Sequence, residues 1–270
     1  MGSSNKHLAG KVALITGGSR GVGAEIGRRL ASDGAYAVLA ARSREAGDAV
    51  VADIKSKGGQ AEFRVLDVTD ENQWLELVAS IEDSLGGLHA LINNAGVHQI
   101  RSFGATDRGD FDWLVNTNLL GPYLGMKSCI SLMGRTGSRE DPARIINMSS
   151  VAALAPTGRQ VLYNMTKAGL DSMTKSVAME VGHDHLPITA NTVNPGVIET
   201  EMGDDLVRQL VDEGIFKDEA AAIRHLQRNL AVKRFATPED VAAAVAFLCS
   251  AETGYITGIS LPVDGGLTLH

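Results

Sequence analysis

Cysteine is scarce in this sequence, and its scarcity argues against a disulfide-bonded scaffold and against a metal site built from cysteines. Only two cysteines, Cys129 and Cys249, occur among 270 residues, so the chain cannot be a small scaffold held together by disulfides. Both lie in apolar stretches predicted to be helical, and neither has neighbours at metal-ligand spacing. We therefore expect two buried, reduced thiols and no bound metal.

Positive charge is also in short supply. The sequence contains 25 Lys and Arg residues against 32 Asp and Glu residues, which gives a formal net charge of −7. No basic stretch could neutralise a run of phosphates. Nucleic acid is therefore not an expected partner.

Long apolar runs are absent too. No segment approaches the 18 continuous apolar residues of a membrane span, and no secretory signal precedes the first predicted strand, so we expect a cytoplasmic protein without a membrane partner. Composition does not shift along the chain, of which 44% is hydrophobic. This predicts a tail over residues 1–9 and a single domain over residues 10–270.

The sequence instead shows short apolar runs that alternate with amphipathic stretches. The predicted strands are residues 11–15, 36–40, 61–66, 88–93, 144–148, 187–193 and 259–263. The predicted helices include residues 44–57, 111–133 and 160–181, one capped by Thr69 and one capped by Thr237. This pattern predicts an α/β fold, a Rossmann-type doubly wound parallel sheet of about seven strands with helices on both faces. Ligands of such sheets bind beyond the carboxyl ends of the strands.

The first predicted strand is followed at once by a glycine-rich turn and an amphipathic helix. The turn runs Thr16-Gly17-Gly18-Ser19-Arg20-Gly21-Val22-Gly23. Gly17 permits a tight turn, Gly21 lets the backbone approach a pyrophosphate, and Gly23 allows close packing of helix on strand. The free N–H groups at the start of the helix favour an anion. A glycine turn can be purely structural, but after a first strand it indicates a cofactor loop.

Tyr163 and Lys167 are spaced by four residues within a predicted helix. Side chains at this spacing lie on one face, about 5–6 Å apart. A neighbouring ammonium favours the phenolate, so we expect the lysine to lower the tyrosine pKa and to suit it to acid–base chemistry. The same pattern is also found in ordinary amphipathic helices, with a buried ring and a solvated lysine. The spacing of Tyr163 and Lys167 alone does not decide between a catalytic pair and an ordinary amphipathic helix.

Several separated motifs together resemble the short-chain dehydrogenases/reductases, in the family's order and over residues 10–266. They are Thr16-Gly17-x-x-x-Gly21-x-Gly23, Asp67-Val68, Asn93-Asn94-Ala95-Gly96, Asn118, Ser150, Tyr163-x-x-x-Lys167, and Asn194-Pro195-Gly196 with Thr200. The nearest resemblance is to members that act as 3-oxoacyl reductases or carbonyl reductases and prefer NADP.

The resemblance implies a catalytic tetrad of Asn118, Ser150, Tyr163 and Lys167. In that mechanism hydride passes between a nicotinamide and a carbonyl carbon while Tyr163 exchanges a proton with the oxygen. Ser150 would hold that oxygen, with Ser149 as the competing hydroxyl. Lys167 would bind the nicotinamide ribose, and Asn118 would hold a water that links Lys167 to solvent.

The resemblance also implies a set of cofactor-binding residues. They are Gly17, Ser19, Arg20, Gly21, Val22, Gly23, Arg42, Asp67, Val68, Asn94, Ala95, Gly96, Tyr163, Lys167, Pro195, Gly196, Val197 and Thr200. No acid follows the second strand, which ends Ala41-Arg42. Arg42, with Arg20 approaching from the other side, can pair with a 2′-phosphate. We expect a preference for NADP(H), with NAD(H) as the alternative.

Substrate identity stays open at this level. Residues 198–233 correspond to the family's substrate lid, and their apolar side chains could either cover a ketone or pack the lid together. His98 could touch substrate or lie on a surface loop. A carbonyl reductase, a 3-oxoacyl thioester reductase and a polyol or hydroxysteroid dehydrogenase all fit, as does a cofactor-sensing protein without activity. The resemblance further implies a homotetramer or homodimer.

Overall fold

The computed structural model describes residues 6–269, and a parallel sheet of seven strands forms its centre. The strands are β1 (Val12–Thr16), β2 (Tyr36–Ala41), β3 (Gln60–Val65), β4 (Ala90–Asn93), β5 (Ala143–Met148), β6 (Ile188–Pro195) and β7 (Ser260–Val263). Their order across the sheet is β3-β2-β1-β4-β5-β6-β7, and every neighbouring pair is parallel. The predicted fold class is confirmed.

Helices connect the strands. They are α1 (Gly21–Ser32), α2 (Arg44–Ser56), α3 (Glu71–Leu85), α4 (Arg108–Val115), α5 (Gly121–Thr136), α6 (Val161–His183), α7 (Glu201–Asp212), α8 (Glu219–Arg228) and α9 (Pro238–Cys249). None of the helices in residues 6–269 combines the length and apolar character that a bilayer crossing requires.

Both faces of the sheet are covered, and the strands alternate between them. In β1, Ala13 and Ile15 belong to the core under α1, α2 and α9. Val12 and Leu14 belong to the other core, under α3, α5 and α6. Every residue of β1 is buried, which explains its continuous apolar sequence, because a strand covered on both faces has no solvent side.

The cysteines fall into opposite cores. Cys129 of α5 and Cys249 of α9 are both buried and free, on the two faces of the sheet. Burial raises the pKa of each thiol. The expectation of two buried, reduced thiols is confirmed.

Several predicted boundaries are wrong by a few residues, for physical reasons. β6 continues to Pro195 because Asn194 and Pro195 still pair with β7. The cap of α3 is Asp70, whose carboxylate accepts from two backbone N–H groups of the first turn; Thr69 is held by Asp67 instead. Residues 1–5 of the predicted tail lie outside the described residues, whereas Leu8 is buried at 4% exposure.

The strand order creates a crevice beside β1. From β1 the chain runs outward to β2 and β3 and then returns to the other side of β1 as β4. In sheets of this kind ligands bind at such a switch point, outside the carboxyl ends of the strands. The turns that follow β1, β4, β5 and β6 all meet at this edge.

Candidate active site

No side chain caps the start of α1. Arg20 occupies the N-cap position without a capping hydrogen bond, and no acidic residue lies in the first turn. Side chains cap five other helices, namely Asp70, Asp107, Thr200, Asp218 and Thr237. The first N–H groups of α1 and its partial positive charge are thus left for an anion.

The glycines of this turn shape a cradle that fits a pyrophosphate. Gly17 and Gly21 have φ angles of 66° and 53°, a region that favours glycine. A Cβ atom on Gly23 would lie 2.3 Å from the Gly17 carbonyl oxygen, so only glycine lets α1 come this close. A Cβ atom on Gly21 would meet only a methyl group of Thr200, at 3.8 Å. Space therefore remains beside the Gly21 backbone.

Asn94 and Ala95 tie the end of β4 to the end of β1. The Thr16 hydroxyl oxygen accepts from the backbone N–H groups of Asn94 and Ala95, each at 3.0 Å. The Asn94 side-chain nitrogen donates to the Thr16 carbonyl at 2.9 Å. Asn94 thus supports the shape of the glycine turn, whatever contact it makes with a cofactor.

The residues expected on the adenosine side cluster after β2 and β3. The Asp67 carboxylate accepts from the backbone N–H and hydroxyl of Thr69 at 3.0 Å and 2.8 Å. These bonds hold the pKa of Asp67 below its ordinary value, and the charge of Arg42 adds to the effect. Val68 accepts at its carbonyl from the indole of Trp74 at 3.0 Å. Arg42 and Asp67 therefore lie on one side of the crevice.

Arg20 is engaged by a carboxylate of α7 in this structure. Its guanidinium pairs with Glu201, the first residue of α7, at 2.8 Å. Both side chains are nearly 80% exposed, so the pair contributes little to stability and can be exchanged for another anion. Ser19 and Val22, which flank Arg20 and Gly21, are half-buried in the same turn.

Tyr163, Lys167 and Ser150 come together at the end of β5. The Lys167 amine lies 5.7 Å from the centre of the Tyr163 ring and donates to the carbonyl of Met148, the last residue of β5, at 2.8 Å. Ser150 follows two residues later and is buried, with its hydroxyl next to the phenol. The structure thus brings the three predicted residues into one cluster.

Burial dominates the ionisation of this cluster. It raises the pKa of the Tyr163 phenol, and the hydrogen bond with Ser150 opposes that shift. Burial also lowers the pKa of Lys167 to about 8, against the opposing charge of Asp171. The expectation that Lys167 lowers the tyrosine pKa below its usual range is therefore wrong for this structure. Removal from water disfavours the charged form of each group more than its neighbours stabilise it.

The two adjacent serines differ in what their hydroxyls contact. Ser149 donates to the carbonyl of Lys167 at 3.2 Å, so its proton is used within α6. The Ser150 oxygen accepts from the backbone N–H of Ala152 at 3.2 Å, which leaves its own proton available. This difference favours Ser150 as the hydroxyl that faces a bound ligand.

Asn118 is carried into the site by a π-helical turn, Asn116–Leu120, between α4 and α5. Its side-chain oxygen accepts from the N–H of Val97 at 2.9 Å, and its nitrogen donates to the Val97 carbonyl at 2.9 Å and to the Thr166 hydroxyl at 3.2 Å. Such turns are frequent at functional sites. The prediction that residues 111–133 are largely helical is confirmed, with this π turn between α4 and α5, and the water relay through Asn118 stays a prediction.

Gly96 lies against the tetrad. A Cβ atom there would come 3.4 Å from the Asn118 oxygen and 3.6 Å from the Lys167 amine. The turn after β4 therefore forms the floor between these two side chains, and a larger residue would crowd them.

The residues after β6 cover the glycine turn. Pro195 ends the strand, and Gly196 donates from its N–H to β7 at 3.2 Å, followed by Val197. The Thr200 hydroxyl oxygen caps α7, while its methyl group faces Gly21. This arrangement places the start of α7 over the cradle.

The predicted lid contains α7 and α8, which pack mainly on each other. Ile100, from the loop after β4, joins Val207, Leu210 and Ala222 in a separate small core, with Leu206, Phe216, Ile223 and Leu226 around it. The Ile100 N–H donates to the Gln209 side chain at 2.6 Å. The packing interpretation is thus correct for most of these apolar residues; Met202 and Ile215 stay exposed.

Sequence reasoning missed one buried carboxylate of the site. Asp171 lies on α6 one turn beyond Lys167 and is 6% exposed. It accepts from the Asn194 side-chain nitrogen at 3.1 Å and from the Ser260 hydroxyl at 2.8 Å. Its spacing of four from Lys167, on the same helix face, was the signal available in the sequence.

His98 is buried rather than on a surface loop. It is 9% exposed, and its ring meets that of Tyr163 edge to face, with centres 4.6 Å apart. Burial lowers its pKa. The sequence left its position open, and the structure places it at the wall of the site.

Comparisons with known proteins agree with this geometry. The family model for enoyl-(acyl carrier protein) reductase matches residues 17–268. The 7α-hydroxysteroid dehydrogenase of Clostridium sardiniense is 32% identical over 267 residues, covering 98% of this chain and 95% of its own. The 3-oxoacyl-[acyl-carrier-protein] reductase of Aquifex aeolicus is 33% identical over 264 residues, covering 96% and 98%.

Solved structures give the same result. A dehydrogenase/reductase from Sinorhizobium meliloti 1021 superposes with a TM-score of 0.84 at 32% identity, over 98% of this chain and 97% of its own. A mutant short-chain dehydrogenase/reductase from Serratia marcescens has a TM-score of 0.84 at 31% identity, over 97% and 99%. This chain therefore belongs to the short-chain dehydrogenase/reductase family, oxidoreductases that act on hydroxyl and keto groups with NAD(P)(H).

Proposed function

We propose that the protein interconverts a ketone and a secondary alcohol with NADP(H), using Tyr163 as the general acid and base. The observation that carries this proposal is the position of the Lys167 amine, 5.7 Å from the centre of the Tyr163 ring and bonded to the Met148 carbonyl two residues before the buried Ser150. A phenol and a hydroxyl brought to the end of one strand are suited to hold one reacting oxygen.

Each residue then has a defined part. The nicotinamide, when bound, supplies or accepts the hydride. Tyr163 gives its proton to the carbonyl oxygen in reduction and takes it back in oxidation, while Ser150 donates a hydrogen bond to that oxygen. An ammonium has three donors; Lys167 keeps one on Met148 and directs another to the ribose. Asn118 fixes the loop after β4 through Val97.

The preference for NADP(H) rests on Arg42. It follows β2 without an acid at the position that would bind an adenosine ribose, and its charge acts on Asp67 on the same side of the crevice. A guanidinium there pairs with a 2′-phosphate. Arg20 adds to this site when it leaves its exposed partner Glu201.

Several classes of substrate fit this chemistry. Each alternative is supported by similarity to a relative with a different named activity. A 3-oxoacyl thioester reductase is the main alternative, supported by the similarity to the Aquifex enzyme. A hydroxysteroid or polyol dehydrogenase that uses NAD(H) is another. A protein that only senses the cofactor would bind NADPH without turning over any ketone.

Initial rates of NADPH and NADH oxidation separate these functions. The panel comprises small ketones, a cyclic ketone, a keto steroid, a 3-oxoacyl thioester and a 2-enoyl thioester, the last as a control for double-bond reduction. We expect ketone reduction that is faster with NADPH. Binding of NADPH with no turnover across the panel would identify a sensor instead, and reduction of the enoyl thioester alone would contradict the proposed reaction.

We also infer a homodimer or homotetramer. The faces of α4, α5 and α6 that turn away from the sheet expose large apolar side chains, including Trp113, Tyr123, Met165 and Met179. Apolar residues clustered on adjacent helices mark surfaces that associate. The test of this inference is given below.

A further inference from the structure

His98 is a buried histidine beside Tyr163 to which the reaction proposed above assigns no part. Its ring packs edge to face on the Tyr163 ring, with an interplanar angle of 80°. The backbone of the preceding residue, Val97, is held at both its N–H and its carbonyl by Asn118. The imidazole is thus fixed at the wall of the site, close to the group that exchanges the proton.

The hydrogen bonds of Gln160 determine which nitrogen of His98 carries the hydrogen. In this structure the Gln160 amide nitrogen donates to the Thr157 hydroxyl at 2.8 Å, and its carbonyl oxygen lies 2.9 Å from Nε2 of His98. A carbonyl oxygen only accepts, and Nε2 therefore carries the hydrogen. Nδ1 of the neutral ring is left as an acceptor.

The surroundings keep this ring neutral. Burial holds the pKa of His98 below its ordinary value; Gln160 and Asp205 oppose the shift, and the charge of Lys167 adds to it. At neutral pH His98 therefore presents a lone pair at Nδ1 rather than a second N–H group.

Nδ1 of His98 is buried without a hydrogen-bond partner anywhere in residues 6–269. Buried polar groups of native proteins are nearly always paired, so an unpaired acceptor beside a catalytic group points to a partner that the chain does not supply. The side chain of Asn118, which holds the residue before His98, is engaged with Val97 and Thr166. A donor on a molecule bound in the crevice would complete the set.

We propose that His98 is a specificity residue whose Nδ1 accepts a hydrogen bond from a hydroxyl group next to the reacting carbon of the substrate. The preferred substrates are then α-hydroxy ketones and the corresponding vicinal diols. The two rings are in contact, so a molecule held by the phenol has its next carbon atoms within reach of His98. A hydroxyl fits better than an ammonium, which the charge of Lys167 would repel. This inference rests on the function proposed above.

Matched substrates test the requirement for a donor. Reduction of 3-hydroxybutan-2-one is compared with that of 3-methoxybutan-2-one and butan-2-one, and 2-hydroxycyclohexanone with cyclohexanone, each with NADPH and NADH. We expect wild-type kcat/KM to favour the hydroxy ketone about tenfold over both partners, the ratio that one well-made hydrogen bond supports. The methoxy ketone keeps the oxygen but lacks the hydrogen.

His98→Phe is the matched variant, because it keeps a ring against Tyr163 and removes the acceptor. We expect it to bind NADPH with unchanged affinity and to lose the preference for the hydroxyl, so that kcat/KM becomes the same for 3-hydroxybutan-2-one and butan-2-one. His98→Leu serves the same purpose if the phenylalanine variant does not fold. Equal wild-type rates within the matched sets, or a preference that survives in the variants, would overturn the inference while leaving ketone reduction intact. If no ketone is reduced with either cofactor, the proposed function fails and this inference with it.

Discussion

Asn194 of β6 donates from its side-chain nitrogen to the backbone carbonyl of Ser150 at 3.0 Å. The same nitrogen reaches the carboxylate of Asp171 on α6 at 3.1 Å, and Asp171 also accepts from Ser260 of β7. All of these groups lie beneath the crevice, where water does not compete. The position of Ser150 is thus set by a polar contact that joins β6, β7 and α6.

Replacing Asn194 should therefore affect both stability and catalysis. Asn194→Ala leaves the Ser150 carbonyl and one side of Asp171 without their donor, and an unpaired buried group costs about 1–3 kcal/mol. We expect a lower free energy of unfolding in urea and a reduced kcat with little change in cofactor affinity. Asn229→Ala, at an exposed site, is the control. A variant with wild-type kcat would show that Ser150 does not depend on this contact.

Tyr163→Phe should abolish turnover and leave cofactor binding nearly intact. The ring keeps its packing against His98, and only the proton donor is lost, an interaction needed in the transition state. General acid–base catalysis typically contributes about 10²–10⁴-fold, so kcat should fall within that range. Steady-state rates and NADPH fluorescence titration measure the two quantities. Activity within about tenfold of wild type would contradict the assignment.

Lys167 should make stability depend on pH above neutrality. Its pKa is about 8 in the folded protein and near 10.4 in an unfolded chain. Between these values the unfolded chain binds more protons, so the free energy of unfolding rises with pH through this window, by about 3 kcal/mol in the limit. Lys167→Met should lose this component. Urea denaturation of both proteins at pH 7.5 and pH 10 measures the difference; parallel pH dependences would show that Lys167 is not desolvated as described.

Ala41→Asp combined with Arg42→Ile should shift the cofactor preference toward NAD(H). The new carboxylate accepts from the ribose hydroxyl and repels a 2′-phosphate, and the guanidinium that pairs with it is gone. The ratio of kcat/KM for NADPH and NADH is the measurement. Arg64→Ile, which removes the same charge on β3 beside Ala40, should leave the ratio unchanged. A wild-type preference for NADH would already refute the proposal.

The assembly proposal predicts a mass above that of one chain. Light scattering at micromolar concentration should give a dimer or tetramer, and Trp113→Lys with Tyr123→Lys should shift the distribution toward smaller species, because charges in an apolar contact are left unpaired. Leu75→Lys changes a side chain on α3 that is just as exposed, at 55%, and should not alter the mass. A wild-type mass equal to that of one chain would contradict the proposed assembly.

The sequence predicts the sheet and the cluster of Ser150, Tyr163 and Lys167, because strand periodicity and helix spacing are local properties. It does not predict the direction in which the Tyr163 pKa moves, because that direction depends on burial, which only the assembled fold determines. Asn118 is expected in the site only through the family resemblance, and the helical pattern of the sequence does not indicate the turn that carries it. Its π turn adds a residue to a helical stretch whose apolar pattern continues through it.

His98 shows a different limit. A histidine after a glycine-containing turn has no periodic neighbours that could tell a buried ring from an exposed one. Its burial arises from Tyr163 and Gln160, which are more than 60 residues away in the chain, and from Asn118, which fixes the residue before it. Contacts of this kind depend on how α6 and α4 meet, and no spacing in the sequence encodes that.

The reversal of strand order at β1 and β4 divides the protein's two tasks along the chain. The groups expected to bind the adenosine end of the cofactor, Arg20, Arg42 and Asp67, all precede β4, whereas the proposed reacting groups Asn118, Ser150, Tyr163 and Lys167 all follow it. The halves meet where β1 pairs with β4 and where α1 packs on α9 and α3 on α5. Cofactor choice and substrate choice are thus modular: exchanging the first half for that of a relative should transfer one property without the other.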